Sequence, residues 1–358
     1  MSRNLSLWIP TESSRSLYET LIRKFCQRHP NVNVQITDYP LCIYWKKLMA
    51  ALLHEEGPDL YFMHNEYAKK FIAHGWMLPY NFSTQQKKIL NECYPESCNQ
   101  TYYYDFAYVT SLLYIQKEIK IQGNSWNTCF ELLRQQSIFP FDFGCTVNLD
   151  AAAAFYTMIS LQQKEYGAVK QTATEQWLRD MFRKLRVYDM NTDCKEAFLS
   201  KKIAMVYSWG WFAGYLNDAH MEYKVVPLCC EPHSGWFDRN NTKSSCGINA
   251  LSKNHGLAMQ FVFDFLSDIE MQKLFCLTRK VIPIHKKLQY DTDIKSDPVI
   301  KAQMEILPYT IFPEVPQSSE AITMDLKKIQ KIYSSYAIGK KENEKDEPNL
   351  TRGCKKIR

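Results

Sequence analysis

The sequence predicts an α/β fold in which a mostly parallel sheet is flanked by helices. Residues 5–9 and 32–36 alternate apolar and polar side chains, and residues 60–63 form a short apolar run, each typical of a strand. Between them, residues 17–25 and 45–52 carry apolar side chains at helical spacing. Strands alternating with helices in this way favour a parallel sheet. A length of 358 residues is enough for two domains or lobes.

Polar residues follow the first and third predicted strands. Thr11 and Glu12 come after the first, and Asn65 and Glu66 come after the third. Ligands of such sheets bind beyond the carboxyl ends of the strands, where these side chains can hydrogen-bond hydroxyl groups. Thr11 and Asn65 would equally serve as helix caps, so both interpretations stay open.

The stretch 205–217 contains two tryptophans around a glycine. Residues 203–207 predict a buried strand that Ser208 and Gly210 interrupt, with Trp209 and Trp211 on either side of the glycine. Two indoles at a strand end form a flat, rigid surface that suits the apolar face of a sugar ring. Because tryptophan is usually largely buried, a core role for either one is an equal alternative.

Composition limits the class of function. Aromatic residues make up 14% of the chain, which fits a ring-binding cleft or a tyrosine-rich surface. The net charge is +6, but the basic residues are spread along the chain, which argues against a nucleic-acid surface. The longest apolar run, residues 151–161, is well short of the roughly 20 residues of a membrane span.

The N-terminus has no long apolar region and no small-residue cleavage site. We therefore expect either a cytoplasmic chain or an upstream signal segment that has been left out.

The 12 cysteines lack the spacing of a disulfide framework and predict free thiols in a reducing compartment. The segments Cys93-x4-Cys98 and Cys229-Cys230-x2-His233 each lack the second pair of ligands that a zinc site needs, so a zinc site is only an alternative interpretation.

No catalytic or cofactor-binding motif occurs in the sequence. An alternative hypothesis is that Glu12 and Glu66 form the carboxylate pair of a glycosidase. We expect no enzyme activity, no cofactor and no metal.

The remaining elements are predicted in chain order. Residues 101–115 form an aromatic, strand-like run suited to a crossover between lobes. Further predicted helices start at Ser125 and cover 151–161 (with Asn148 and Asp150 as caps), 177–188, 195–200, a pair between 261 and 274, and 325–336. Further strands cover 223–228, 247–251 and 281–284, and residues 235–241 form a loop with an exposed Trp236. From Gly339 the chain is charged and predicted to be disordered.

Several segments, in this order, resemble the family 1 extracellular solute-binding proteins, the group that includes the maltose-binding protein. They are FCQRHPNVNVQI, GPDLYFMHNEYAKKFIAHGWMLP, SLLYIQKEI followed by NSWNTCFELL, AFLSKKIAMVYSWGWFAGYL, CGINALSKN and VFDFLSDIEMQKLFCLTRKVIPIHKKL. The resemblance covers residues 5–336. Lys201-Lys202 departs from the usual Gly-Lys, and the family's export signal and lipid-modified cysteine are not seen.

The resemblance implies two α/β lobes of the periplasmic-binding-protein type (type II) with a ligand cleft between them. Lobe 1 would comprise residues 1–108 and 246–306, lobe 2 residues 109–245 and 307–338, and residues 339–358 the tail. Crossings would lie at 104–108, 243–246 and 307–310.

The resemblance also implies a set of ligand-binding residues. Trp211 occupies the family's stacking position in the second lobe, Asn65 and Glu66 its polar position after the third strand, and Thr11 and Glu12 the loop after the first. Trp209, Asn148, Asp150 and Trp236 are placed by proximity rather than by motif.

The function implied is capture of a small ligand, a carbohydrate or oligosaccharide, by closure of the lobes. The protein would then act outside the cytoplasm as a monomer and deliver the ligand to the permease of an ABC importer. One alternative is a cytoplasmic effector-binding module of a transcriptional regulator, and another is a ligand-free relative that serves as an interaction protein.

Overall fold

The computed structural model describes residues 3–11, 15–97, 101–121, 123, 143–147, 194–227, 242–307 and 331. The predicted helices at Ser125, 151–161 and 177–188, the loop at 235–241 and the tail lie outside these residues. Of the helix predicted at 325–336, only Lys331 is described, and it is helical.

The first third of the chain alternates strand and helix, as predicted. Its elements are β1 (Arg3–Thr11), α1 (Arg15–Arg28), β2 (Val32–Pro40), α2 (Leu41–Leu53), β3 (Leu60–His64) and α3 (Ala68–Ala73). α1 ends two residues before Pro30, which has no N–H to continue the helix. Its buried face consists of residues at helical spacing, namely Leu17, Tyr18, Leu21, Ile22 and Phe25.

Several helices are absent from the sequence predictions, and the first of them along the chain is α4 (Thr84–Cys93). Ser83 caps it, since its hydroxyl accepts from the backbone N–H of Gln86 at 3.2 Å while the Gln86 side chain accepts from the Ser83 N–H at 3.0 Å. This capping box is a sequence signal of a helix start that could have predicted α4.

The rest of the described chain supplies the second sheet and the return to the first. Its strands are β4 (Asp105–Val109), β5 (Ser111–Gln116), β6 (Phe143–Val147), β7 (Ile203–Trp209), β8 (Tyr223–Val226), β9 (Thr242–Ile248) and β10 (Ile282–Pro283). Its helices are α5 (Cys194–Leu199), α6 (Phe212–Asp218), α7 (His255–Ser267), α8 (Ile269–Arg279), α9 (Thr292–Ser296) and α10 (Pro298–Ile306). The helix pair predicted between 261 and 274 is α7 and α8.

The described strands form two sheets. The first has the order β10-β4-β9-β3-β1-β2, and the second has the order β6-β7-β5-β8. β1 runs parallel to β2 and β3, as predicted, but β9 runs antiparallel to β3 and β4, and β5 antiparallel to β7 and β8. Each sheet is therefore mixed rather than mostly parallel, because β5 and β9 run in the opposite direction to both of their neighbours.

Each sheet has its own apolar core, and α10 contributes to both. Ile300 packs in the core of the first sheet, whereas Val299, Ala302 and Ile306 pack in the core of the second. β9 pairs with the first sheet from Thr242 onwards. The division of the chain into lobes at 108/109, 245/246 and 306/307, with a tail from 339, stays a prediction. Within the described ranges, no helix is long and apolar enough to span a membrane.

A half-buried carboxylate, Asp59, ties the amino end of β3 to its neighbours. Asp59 accepts hydrogen bonds from the N–H and hydroxyl of Ser6 on β1, at 2.7 and 2.8 Å. It also accepts from the Ser252 hydroxyl and, at 3.1 Å, from the Asn254 amide, both in the loop before α7. Burial alone would raise the pKa of Asp59, but the hydrogen bonds outweigh it and the pKa is lowered.

Replacing Asp59 with Ala should reduce the free energy of unfolding by about 2 kcal/mol, because four donors lose a charged acceptor. Since the folded pKa is depressed, the stabilisation is present above the unfolded pKa of about 3.9 and is lost as pH falls through the folded pKa. In urea denaturation between pH 7 and 3, the free energy of unfolding of the variant should fall less with decreasing pH than that of the wild type. Asp218→Ala, at an exposed position, is the control, and equal effects of the two variants would contradict the assignment.

Candidate functional site

The carboxyl edge of the first sheet is where the chain crosses to the second. The parallel strands β1 and β3 end at Thr11 and His64. β9 runs antiparallel to β3 with Ser244 opposite His64, so its first residues lie at this same edge. β4 reaches the edge at Val109, where it pairs with Thr242.

A single residue, Thr110, joins β4 of the first sheet to β5 of the second. The next residue, Ser111, pairs with Trp209 at the carboxyl end of β7. Thr110 is fully buried; its N–H donates to Oε1 of Gln303 at 3.0 Å, and its carbonyl accepts from the N–H of Gly210 at 3.1 Å. The crossing is thus fixed through its backbone, since buried peptide groups require partners.

Gln303 connects this crossing to the helices around it. Its fully buried amide donates to the carbonyl of Lys280 at 2.7 Å and to that of Val299 at 3.3 Å. Lys280 ends α8 in a left-handed conformation, and its ammonium pairs with Asp297, the residue that caps α10. One side chain therefore links the crossing, the end of α8 and the body of α10.

Gly210 occupies a position with no room for a side chain. A Cβ there would lie 2.4 Å from the carbonyl oxygen of Lys280 and 2.6 Å from the side-chain nitrogen of Gln303. The Tyr114 hydroxyl lies 2.9 Å from the carbonyl oxygen of Trp209 and 3.0 Å from that of Gly210, so one proton is shared between them. Burial raises the pKa of Tyr114, which keeps it protonated as a donor.

This fixed turn carries the two predicted tryptophans. Trp209 is half-buried against the first core, and the half-buried Trp211 packs against both cores. The Trp211 ring meets that of Tyr215 edge-on, with centroids 5.8 Å apart. Neither indole is fully buried, so each keeps accessible surface, as a stacking role requires. Contact with a ligand stays a prediction.

On the first-lobe side, Asn65 is half-buried and directly follows β3. It begins a short 3-10 turn, Asn65–Tyr67, that leads into α3. The cap positions belong to His64 and Tyr67, and neither makes a side-chain cap hydrogen bond. The capping interpretation of Asn65 therefore has no support, and its amide lies at the edge where a ligand is expected.

The other predicted residues are described only in part or lie beyond the described ranges. The structure gives the backbone of Thr11, at the end of β1, and of Glu66, but not their side-chain environments. Glu12, Asn148, Asp150 and Trp236 lie outside the described residues. Their assignment to the site stays a prediction.

Beside Asn65 lies an aromatic pair that the sequence analysis did not assign to the site. Trp45 and Tyr67 stack face to face with centroids 3.9 Å apart, and the His64 ring lies 5.5 Å from Trp45. The helical spacing of apolar residues 45–52 predicts that Trp45 faces inward, but the adjacent Tyr44 is fully buried instead and Trp45 is half-buried. Two successive aromatic residues on a helix cannot share one buried face, and this signal could have identified the pair.

Sequence analysis also missed a polar group that joins β4 and β9 of the first sheet. Asp105, buried at the start of β4, accepts from the Ser245 hydroxyl at 2.6 Å. The ammonium of Lys243 lies 3.7 Å from the second carboxylate oxygen of Asp105 and 5.1 Å from the centroid of the Tyr108 ring. The sequence signal is weak because these residues come from strands about 140 positions apart.

In the part of the chain that the structure describes, no group of three or more His, Cys, Asp or Glu residues could hold a metal ion. Five cysteines are free thiols, namely Cys26, Cys93, Cys194, Cys246 and Cys276. Burial raises the pKa of Cys246 and Cys276 well above the usual range, so both remain unreactive thiols. Cys98, Cys229, Cys230 and His233 lie outside the described residues.

Comparison with protein families gives a match over residues 20–302 to the model described as bacterial extracellular solute-binding protein. The comparison with curated protein sequences found no match.

Solved structures with the same fold include three from bacteria. A protein from work on xylan utilisation by Caldanaerobius polysaccharolyticus has a TM-score of 0.77 at 17% identity, covering 93% of this chain and 96% of that one. The Thermus thermophilus maltotriose-binding protein has a TM-score of 0.73 at 15% identity, and the match covers 93% of this chain and 97% of that one. The GacH receptor of Streptomyces glaucescens has a TM-score of 0.76 at 15% identity, and the match covers 94% of each chain. These likenesses confirm the predicted two-lobed α/β fold.

Replacing Gly210 with Ala should lower the free energy of unfolding by about 2 kcal/mol, because the new methyl group would overlap a backbone carbonyl that cannot move freely. Gly256→Ala is the matched control, since a Cβ there meets nothing within 4 Å and its position inside α7 favours alanine. Denaturant titration of both variants measures the difference. A Gly210→Ala protein as stable as the wild type would show that the crossing is not tightly packed.

Proposed function

The chain belongs to the bacterial extracellular solute-binding proteins, and from this membership we propose that it captures a carbohydrate by closure of its two lobes and passes it to an ABC importer. The family match over residues 20–302 is the observation that carries the proposal. Family membership implies work outside the cytoplasm on a small solute. That the solute is a sugar rests on two supports, the tryptophan turn and the similar structures.

The tryptophan turn supports a ring-shaped ligand. Trp209 and Trp211 lie directly beside the crossing at Thr110, and both keep accessible surface. An indole face buries the apolar face of a sugar ring, while polar groups such as Asn65 fix its orientation. The Thermus thermophilus protein was solved with maltotriose and the Streptomyces glaucescens receptor with acarbose, so related folds accommodate oligosaccharides.

Binding, rather than bond-making, is the proposed chemistry. A ligand that touches both lobes has greater affinity for the closed state and therefore shifts the population towards it. The family consists of solute-binding proteins rather than enzymes, and we extend this to the chain itself. In this proposal it acts as an exported monomer that docks on a permease. The family match favours this function over the effector module of a transcriptional regulator.

Replacing Trp211 with Ala should weaken binding of an oligosaccharide by about 10- to 100-fold, which corresponds to the 1.5–3 kcal/mol of a buried aromatic side chain. Isothermal titration calorimetry against neutral malto- and xylo-oligosaccharides is the measurement. Trp76→Ala is the matched control, because Trp76 is also half-buried but lies beside Ala250, beyond the opposite end of β9.

Absence of heat with every oligosaccharide would count against the carbohydrate proposal. Equal affinities of wild type, Trp211→Ala and Trp76→Ala would instead remove only the stacking role of Trp211.

Saturation with the bound sugar should reduce the radius of gyration measured by small-angle X-ray scattering, because closure brings the two lobes together around Thr110. A non-binding sugar of equal size is the control. Unchanged scattering at saturation would exclude closure as the mechanism.

A further inference from the structure

Two apolar side chains are exposed on the outer face of α2. The inner face of this helix, formed by Tyr44, Leu48 and Leu52, is at most 1% exposed. Ile43 and Leu53 are instead 41% and 66% exposed. A single exposed apolar residue is ordinary, but two on one face of a helix create an apolar surface of the kind found at membrane and protein interfaces.

Lysines lie between and beside these two residues. Positions 43, 46, 50 and 53 are three or four residues apart and all exposed, so one stripe along the helix contains Ile43, Lys46, Ala50 and Leu53. Lys47, which is also exposed, borders this stripe. The stripe spans about 15 Å, since each helical residue rises about 1.5 Å. We call these five residues the basic α2 face.

The neighbouring helix α3 adds to the positive charge. α3 packs in the same core as α2, so the two helices cover the same side of the first sheet. Lys69 of α3 is exposed. Neither helix contains an aspartate or a glutamate. The acidic residues nearest in the sequence lie outside both helices, with Glu55 and Glu56 after the end of α2 and Glu66 before the start of α3.

The lysines of this surface are not compensated by acidic partners. Within the part of the chain that the structure describes, Lys46, Lys47 and Lys69 form no ion pair and no side-chain hydrogen bond. Two lysines near the second sheet, Lys117 and Lys201, by contrast each pair with a glutamate. Uncompensated ammonium groups produce a local positive potential that attracts anions.

The chemistry of the basic α2 face matches the surface of an anionic phospholipid bilayer. Ammonium groups pair with lipid phosphates, while the alkyl stems of lysines lie along the apolar layer. Ile43 and Leu53 would enter the boundary between head groups and acyl chains, as the apolar residues of interfacial helices do. A helix face is convex, and a fluid bilayer adapts to it without the matching groove that a protein partner would need.

Family membership implies a location outside the cytoplasm, and there we propose that the basic α2 face docks on the outer surface of an anionic membrane. The attraction comes from Lys46, Lys47 and Lys69 on lipid phosphates, and insertion of Ile43 and Leu53 completes the contact. Docking would hold the protein close to the membrane that contains an importer. Because no residue of this face is assigned to the sugar site, docking is separate from the capture of a sugar.

Co-sedimentation of the full chain with lipid vesicles is the test. At low salt the protein should bind vesicles of phosphatidylglycerol mixed with phosphatidylcholine, but not vesicles of phosphatidylcholine alone. The affinity should fall as salt is added, because salt screens the attraction between lysines and phosphates. Changing Lys46 and Lys47 together to Gln should weaken binding about 30-fold, or about fivefold for each lysine.

Lys87→Gln combined with Lys88→Gln is the matched control. These two lysines are also adjacent and exposed on a helix, α4, and their replacement removes the same charge. α4 carries the acidic Glu92 and packs through Leu90 in a different core of the first sheet. This variant should therefore bind the anionic vesicles with nearly unchanged affinity. Thermal denaturation checks that both double variants fold.

Ile43→Ser combined with Leu53→Ser tests the insertion. Binding to the vesicles that contain phosphatidylglycerol should weaken about tenfold or more, because two apolar side chains no longer leave water on docking. Ile89→Ser is the control, since Ile89 is 37% exposed on α4, and its replacement should leave binding unchanged.

Three outcomes would overturn this docking surface. One is the absence of binding to anionic vesicles. Another is equal weakening by the two pairs of lysine substitutions, which would show that the net charge of the protein, and not this face, attracts it. The third is equal binding to both kinds of vesicle, which would contradict the charge argument. Calorimetry with oligosaccharides is independent of all three, so a failure of docking would leave the proposed function standing.

Discussion

The hydrogen bonds of the Gln303 amide are the interaction on which the arrangement of the two lobes depends. Its oxygen accepts from the N–H of Thr110, the residue between β4 and β5, and its nitrogen donates to the carbonyl of Lys280 at the end of α8. Because Thr110 and Gln303 are fully buried, losing the hydrogen bond between them would leave polar atoms without partners in an apolar region. The close approach also explains why residue 210 is a glycine, and hence why the two indoles project from a fixed turn.

The alternation of strand and helix in residues 5–75 was predictable because local periodicity and the breakers Pro30 and Gly57-Pro58 determine it. The strand leading into Trp209 was predictable for the same reason. The mixed direction of the strands was harder to predict from the sequence, since the pairing of β3 with β9 joins residues almost 190 positions apart. Local patterns carry no information about such pairings, whereas a family resemblance does.

The candidate site shows the same division between local and distant information. Asn65 and Trp211 could be predicted because Asn65 follows a strand end and Trp211 follows a glycine. The stacking of Trp45 on Tyr67 and the placing of Lys243 between Asp105 and Tyr108 arise only from tertiary packing. The resemblance implied a crossing at 243–246, and nothing in the residues around Lys243 indicates a carboxylate partner on a strand so distant in sequence.

The packing of α10 has a consequence for how the molecule denatures. Its side chains enter two different cores within a single helix, with Ile300 in one and Val299, Ala302 and Ile306 in the other. Melting either core would expose one face of this helix and remove support from the remaining core. The halves are therefore coupled as one cooperative unit, and heat should unfold them together in a single transition rather than one after the other.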